Sequence, residues 1–290
     1  MLVRSFIGAL ALSLTTATAT LAQTYPVKPI TLIVPFAAGG PTDVIARIAG
    51  EHIAKSLGQA VIVENVAGAG GTTGISRGAA AAADGYTIMM GHMGTHGAAP
   101  ALYPNLKYDP AKSFSPIGLV AGTPIVVVTK KGFPSKDLKD FAAYLKTNGD
   151  KVNEAHAGVG SVSHTTCTML QSIMGTKTGR VAYRGTAPAL NDLVAGQVDF
   201  GCDQIVNLVS QIKGGSVKAL AIATKERSPA LPDVPTAKEA GITNYDMSVW
   251  AGMFAPKGTP AAVIAKPIVA IAEPAIPRSD PNTRLPEFSI

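Results

Sequence analysis

Residues 30–35 form an almost unbroken apolar run, not an alternating one, which is the pattern of a strand covered on both faces and points to a parallel sheet. Phe36-Ala37-Ala38-Gly39-Gly40-Pro41-Thr42-Asp43 follows as a turn of small residues, after which Val44, Ile45, Ile48, Ala49 and Ile53 recur at helical spacing. The unit repeats: 60–64 reads as a strand, 67–74 as a glycine-rich turn, 75–83 as a helix and 86–90 as another strand. Alternation of this kind implies an α/β fold.

A second series begins near Thr123. Residues 125–129 read as a strand, and Ser135 as the cap of a helix that carries Leu138, Phe141, Ala142 and Leu145 on one face. Strands then follow at 152–157, 180–183, 198–202 and 217–223, separated by helices at 164–174, 188–195 and 205–213. Residues 245–254 read as one more long strand and 260–271 as a helix that returns the chain to the first lobe. The expected organisation is two α/β lobes, each a mostly parallel sheet flanked by helices, the first from 23–122 and 225–290 and the second from 123–224. No solenoid period of 20–50 residues is present. Pro267, Pro274, Pro277, Pro281 and Pro286 interrupt the pattern after Ile264, so no long helix is expected there. The end reads either as an extended segment or as a truncated or frame-shifted terminus.

Arg4 precedes an apolar stretch over 6–14, then a small and hydroxylic run over 15–20 and Leu21-Ala22-Gln23, the layout of a secretory leader cleaved after Ala22. Its apolar core is too short for a bilayer of about 30 Å, which needs about 20 residues. No cysteine lies near the cleavage point to carry a lipid, and no other apolar segment is long enough to span a membrane, so the mature chain is expected to be exported and soluble. An exported compartment permits pairing of the two cysteines, Cys167 and Cys202; a reactive thiol is the alternative, and two thiols alone make an incomplete zinc set.

Composition narrows the function classes. At 47% hydrophobic and 15% charged residues the chain can bury a core and is not of the disordered class. A formal charge of +6 without any run of five or six like charges makes nucleic acid a poor partner. Three turns, at 37–42, 68–74 and 158–163, are free of bulky side chains and each opens a helix. Backbone can approach a ligand there, and first-turn N–H groups lack internal partners and carry partial positive charge, so such turns accept a carboxylate or phosphate without Arg or Lys. Tight turn geometry alone is the competing reading, and Asp43 reads as a helix cap or as a group facing the ligand.

Ser161, Ser163 and His164, with Asp203 as a third member, invite an acyl-transfer reading, but no G-x-S-x-G elbow is present. The third glycine of a dinucleotide fingerprint, a P-loop and an H-E-x-x-H pair are likewise missing. His92 and His96 stand four apart, yet Gly94 and Gly97 argue for a loop with a structural or ligand-facing role instead of a metal site.

Taken in order, these blocks resemble the Bug, or TctC-like, family of periplasmic solute-binding receptors of tripartite tricarboxylate transporters. The resemblance rests on Tyr25-Pro26-Val27-Lys28-Pro29-Ile30, Val34-Pro35-Phe36 with the first loop, Glu64-Asn65 with Gly68-Ala69-Gly70-Gly71, Asp84-Gly85-Tyr86-Thr87, and Pro100-Ala101-Leu102-Tyr103 with Tyr108-Asp109-Pro110. In the second half it rests on Gly158-Val159-Gly160-Ser161 with His164, Tyr183-Arg184-Gly185 with Pro188-Ala189, and residues 193–199. It implies a Venus-flytrap receptor of two lobes joined by crossing strands, a small organic carboxylate in the cleft, an integral membrane permease as partner, a monomer, no cofactor, and no catalysis. By position it assigns ligand contacts to Ala37, Ala38, Gly39, Gly40, Thr42, Asp43 and Thr95 in the first lobe, and to Gly160, Ser161, His164, Arg184 and Asp203 in the second. An exported hydrolase using Ser161 and His164, and a receptor for a sensory kinase, stand as rivals.

Overall fold

A computed structural model describes residues 25–272; the expected leader and the proline-rich segment after 272 lie outside them. In chain order the elements are β1 (Ile30–Val34), α1 (Pro41–Leu57), β2 (Val61–Asn65), α2 (Thr72–Ala79), β3 (Thr87–His92), α3 (Ala99–Leu102) and β4 (Phe114–Lys130). They continue as α4 (Leu138–Asn148), β5 (Asn153–His156), α5 (Val162–Met174), β6 (Gly179–Ala182), α6 (Thr186–Val194), β7 (Phe200–Gln204), α7 (Ile205–Lys213), β8 (Val217–Ile222), β9 (Ser248–Pro256) and α8 (Ala261–Ala272).

The strand order is β2-β1-β3-β9-β4-β7-β5-β6, with β8 also on β4. β1 pairs in parallel with β2 and β3, and β5 in parallel with β6 and β7, as the continuous apolar runs of β1 and the βα alternation require. The two long strands make antiparallel pairings. β4 lies against β9 over residues 114–124 and against β7 and β8 over 125–130, so one strand runs through both lobes. Its register shifts twice on the β9 side, between Pro116 and Gly118 and between Leu119 and Ala121.

Apolar packing follows the same division. Ile30, Leu32, Val34, Ile45, Ile53 and Met253 fill one core beneath α1. Ile125, Val127, Phe141, Leu170 and Phe200 fill another between the second sheet and α4 and α5, and Val126, Val128, Leu193 and Leu208 a third on its opposite face. Residues after 224 stay with the second lobe for longer than expected: Leu231 and Val234 join the third core and Ala237 and Tyr245 the second, before β9 carries the chain back.

Three local expectations change. Asp137, not Ser135, caps α4, its side chain accepting from Asp140 N–H at 2.8 Å, while Ser135 is buried and its carbonyl accepts from Lys218 Nζ. α8 runs through Pro267, with Ala270 buried in the first core and Ile264 against it, so packing on α1 outweighs the missing backbone donor. The expected loop after β3 is a wide π-type turn, Met93–Ala98, because His92 Nδ1 accepts from Gly94 N–H at 3.0 Å and Thr95 N–H at 3.3 Å while Thr95 Oγ1 accepts from His92 N–H at 3.1 Å.

Candidate functional site

A cleft of about 280 Å³, its open mouth included, lies where the lobes meet. The first lobe lines it with Phe36, Gly40, Pro41 and Thr42 from the β1–α1 turn and with His92 at the end of β3; the second lines it with Ala157, the α5 start Ser161-Val162-Ser163, Thr186 and Gln204. Four helices therefore begin at this wall: α1, α5, α6 with Thr186 as its first residue, and α7 with Gln204 as its N-cap. In the first turns of α1 and α5 the N–H groups of Thr42, Asp43, Val162 and Ser163 have no acceptor among the described residues. No lining side chain carries a charge. Converging helix starts without a formal cation give a site whose potential suits an anion although its wall is formally neutral.

The first loop is held by its own side chains. Asp43, 3% exposed, accepts from Gly39 N–H, Arg47 Nε and Asn65 Nδ2, each at 2.9 Å. Asn65 Nδ2 also donates to Phe36 O at 3.0 Å. Burial alone would raise the Asp43 pKa, but the bonds from Arg47, Gly39 and Asn65 outweigh it and hold the carboxyl below its usual range. Asp43 thus serves the loop and not the cleft. Gly39 sits at φ 81°, which only glycine adopts without strain, and this turn points Gly40, Pro41 and Thr42 inward. Ala38 and Gly39 are exposed, and Ala37 N–H donates across the cleft to Arg184 O at 3.2 Å.

In the second lobe Ser161 lines the cleft, its Oγ accepting from His164 N–H at 3.3 Å and lying 3.2 Å from Ser163 Oγ. His164 is turned back into the lobe: Nδ1 accepts from Gly160 N–H at 3.3 Å and Nε2 lies 3.4 Å from Arg180. His156 Nδ1 accepts from Gly158 N–H at 3.1 Å in the same manner, and the two imidazoles pack 4.8 Å apart. Gly160 and Thr95 are not in the lining; Thr95 is fully buried in the cap of the π-type turn. The Arg184 side chain is exposed and away from the lining. Asp203 lies in an adjoining, mostly apolar cavity that shares Ser163 and Thr186 with the cleft. It accepts from Gln204 N–H at 2.8 Å and Asn207 Nδ2 at 3.2 Å, and burial pushes its pKa up to about 7.

The model of the family described as tripartite tricarboxylate transporter family receptor matches residues 45–279. The chain belongs to that family. A curated relative from Agrobacterium vitis, the UPF0065 protein in the TAR-I ttuE-ttuC' intergenic region, is 43% identical over 244 residues, 84% of this chain and 70% of that one. The solved structure of MatC from Rhodopseudomonas palustris with bound malate is 49% identical with a TM-score of 0.83, over 86% of this chain and 84% of that one. A second R. palustris structure, Rpa4515 with adipate, is 30% identical at a TM-score of 0.83, over 86% and 83%. The receptor is accordingly a solute-binding protein on the two-lobed periplasmic-binding-protein fold.

The family is not enzymatic, and the hydrolase reading falls with it. Geometry gives the reason: Ser161 Oγ meets the His164 backbone and not its imidazole, while Asp203 bonds Gln204 and Asn207, so nucleophile, base and orienting carboxylate form no chain. Cys167 of α5 and Cys202 of β7 are joined as a disulfide. Sequence reading brought Gly40, Thr42 and Ser161 to the cleft wall; it passed over Phe36 as a site residue, left His92 open between a structural and a ligand-facing role, and did not single out Thr186 and Gln204. The last three are single polar residues at the ends of strands or the start of a helix. Only a rule that the carboxyl edge of an open α/β sheet faces the ligand could have selected them.

Proposed function

We propose that the receptor captures a small dicarboxylate or a related small carboxylate between its lobes and delivers it, as a monomer, to an integral membrane permease. The observation that carries the reading is the convergence of four helix starts on a cleft whose wall holds no charged side chain. A carboxylate oxygen takes several N–H and O–H donors at once, and it needs no counter-ion where the dipoles of the first turns are aimed at it. The donors on hand are the amides of Thr42, Asp43, Val162 and Ser163 and the hydroxyls of Thr42, Ser161 and Ser163. Malate and adipate in two solved relatives are both small dicarboxylates, which supports the same class here. Export by a leader cleaved after Ala22 belongs to the same reading, as does the family's membrane partner.

Calorimetry of the purified mature protein against succinate, (S)-malate, adipate, citrate and L-glutamate tests it. Binding of at least one of these with a dissociation constant in the micromolar range or tighter is the expected result. A protein that binds none of them, while taking up a neutral or aromatic solute, is not the receptor described here.

A further inference from the structure

His92 and Gln204 face each other's lobe at the cleft wall, the first at the end of β3 and the second at the end of β7. Both are almost completely buried, 2% and 4% exposed. Each has one polar end committed. His92 Nδ1 accepts two backbone N–H groups, from Gly94 and Thr95, which fixes that nitrogen as the lone-pair side of the ring. A neutral imidazole with an acceptor Nδ1 carries its proton on Nε2. Phe36 stacks on the ring at 5.2 Å and a plane angle of 22°, holding its orientation. Gln204 Oε1 accepts the Thr123 hydroxyl at 2.5 Å, which leaves Nε2 as its free end. Neither His92 Nε2 nor Gln204 Nε2 has a partner among the described residues, and neither is among the buried atoms shut off from space. Protonation of His92 would set an N⁺–H against the Gly94 and Thr95 amides; burial, with His96 nearby, drives its pKa down to about 3, so the ring stays neutral through the physiological range.

We infer that His92 Nε2–H and Gln204 Nε2–H are a pair of orientation-locked side-chain donors, one from each lobe, that bind carboxylate oxygens of the ligand and let it bridge the closed lobes. The inference rests on the carboxylate-receptor reading and deepens it, because helix amides alone fix a charge whereas two opposed side-chain donors fix the direction in which the molecule lies. Both groups donate as neutral side chains.

His92→Asn separates the two ends of the imidazole. Asparagine is a good N-cap, and its Oδ1 can take over the Gly94 and Thr95 amides, while the donor on the cleft side is lost. Gln204→Glu keeps the acceptor for Thr123 and puts a carboxylate where the donor stood. Calorimetry with succinate, (S)-malate and adipate on the mature protein should show His92→Asn weakening the tightest of the three by about 10- to 100-fold. Gln204→Glu should weaken it by about 100-fold or more. Thermal unfolding of each free variant checks that it is folded. Long-range ¹⁵N–¹H spectra of the wild-type protein give a reading independent of any variant: His92 should show the Nε2–H tautomer, and its Nε2–H proton should shift when the same dicarboxylate is added. Variants that bind within threefold of wild type, or an Nε2–H resonance that ligand leaves unmoved, overturn the inference while leaving the carboxylate reading intact. Failure of the wild-type protein to bind any of these three acids, citrate or L-glutamate sinks the underlying reading instead.

Discussion

Burial, more than any partner, governs the ionisable side chains inside the second lobe. Glu154 is fully buried; Oε2 accepts from Gln171 Nε2 at 2.5 Å and lies 3.5 Å from Arg180 Nε, while Oε1 has no partner. Burial pushes its pKa up to about 7 against the opposing pull of Arg180 and Gln171. A carboxyl that holds its proton more tightly when folded is ionised first in the unfolded chain, so folding stability is lost as pH rises from its ordinary 4.5 through about 7. The buried imidazoles, His92 in the first lobe and His156 in the second, run the other way: burial takes them down from 6.5 to about 3 and 4, and stability is lost as pH falls below 6.5. Glu154→Gln keeps an acceptor for Gln171 and removes the ionisation. Urea unfolding at pH 5 and pH 8 should show the variant relieved of about 2–3 kcal/mol of alkaline destabilisation that wild type carries. Equal pH slopes for the two proteins would mean that Glu154 ionises as freely folded as unfolded.

At the level of elements, the disulfide ties together the two that bring second-lobe donors to the cleft: Cys167 on α5, whose start is Ser161-Val162-Ser163, and Cys202 on β7, which ends in Gln204. Both cysteines are fully buried beside Phe200 and Leu170, and their link closes a loop of 35 residues. Replacing both with alanine should lower the unfolding free energy by about 3–4 kcal/mol, read from urea denaturation under non-reducing conditions. A loss below about 1 kcal/mol would show that core packing sets the α5–β7 geometry unaided. Most elements were legible in the sequence because each βα unit shows its own period, as β1 and α1 do. β4 was read only over 125–129: its first half carries Pro116, Gly118, Gly122 and Pro124, and its two register shifts erase the alternation by which a strand is recognised. The π-type turn was hidden for another reason, since an imidazole, not a backbone pattern, makes it. Of the site, the glycine turns announced themselves by composition, whereas His92 and Gln204 meet only through the crossing of β4 and β9, a long-range pairing that no local window contains.

For the whole molecule, the proposed capture of a ligand between the lobes couples binding to their approach, and the contacts across the cleft say where that approach can be interrupted. Gly70, in the 3-10 turn Ala69–Gly71 of the first lobe, sits at φ 62° against the second lobe, where an added Cβ would run into the Val159 carbonyl. Gly158 backs onto the same residue, and Tyr103 Oη donates to Val159 O at 2.7 Å. Within its own lobe an alanine at 70 costs the left-handed backbone, about 1–2 kcal/mol, and brings its Cβ to 3.0 Å from the Tyr103 hydroxyl, the far end of a side chain. Its larger effect falls on approach of the lobes, because a carbonyl cannot give way as a flexible side-chain tip does. Ligand can draw the lobes together only by as much as it binds the closed form better than the open one. Gly70→Ala should therefore weaken the tightest dicarboxylate by at least about tenfold and abolish the decrease in radius of gyration that lobe closure predicts for wild type on ligand addition, read by small-angle scattering. Tyr103→Phe removes one closing hydrogen bond and no volume, so it should cost about 2- to 10-fold in affinity and leave compaction intact. A Gly70→Ala protein that binds and compacts like wild type would show that the lobes do not meet through Gly70 and Val159 when ligand is held.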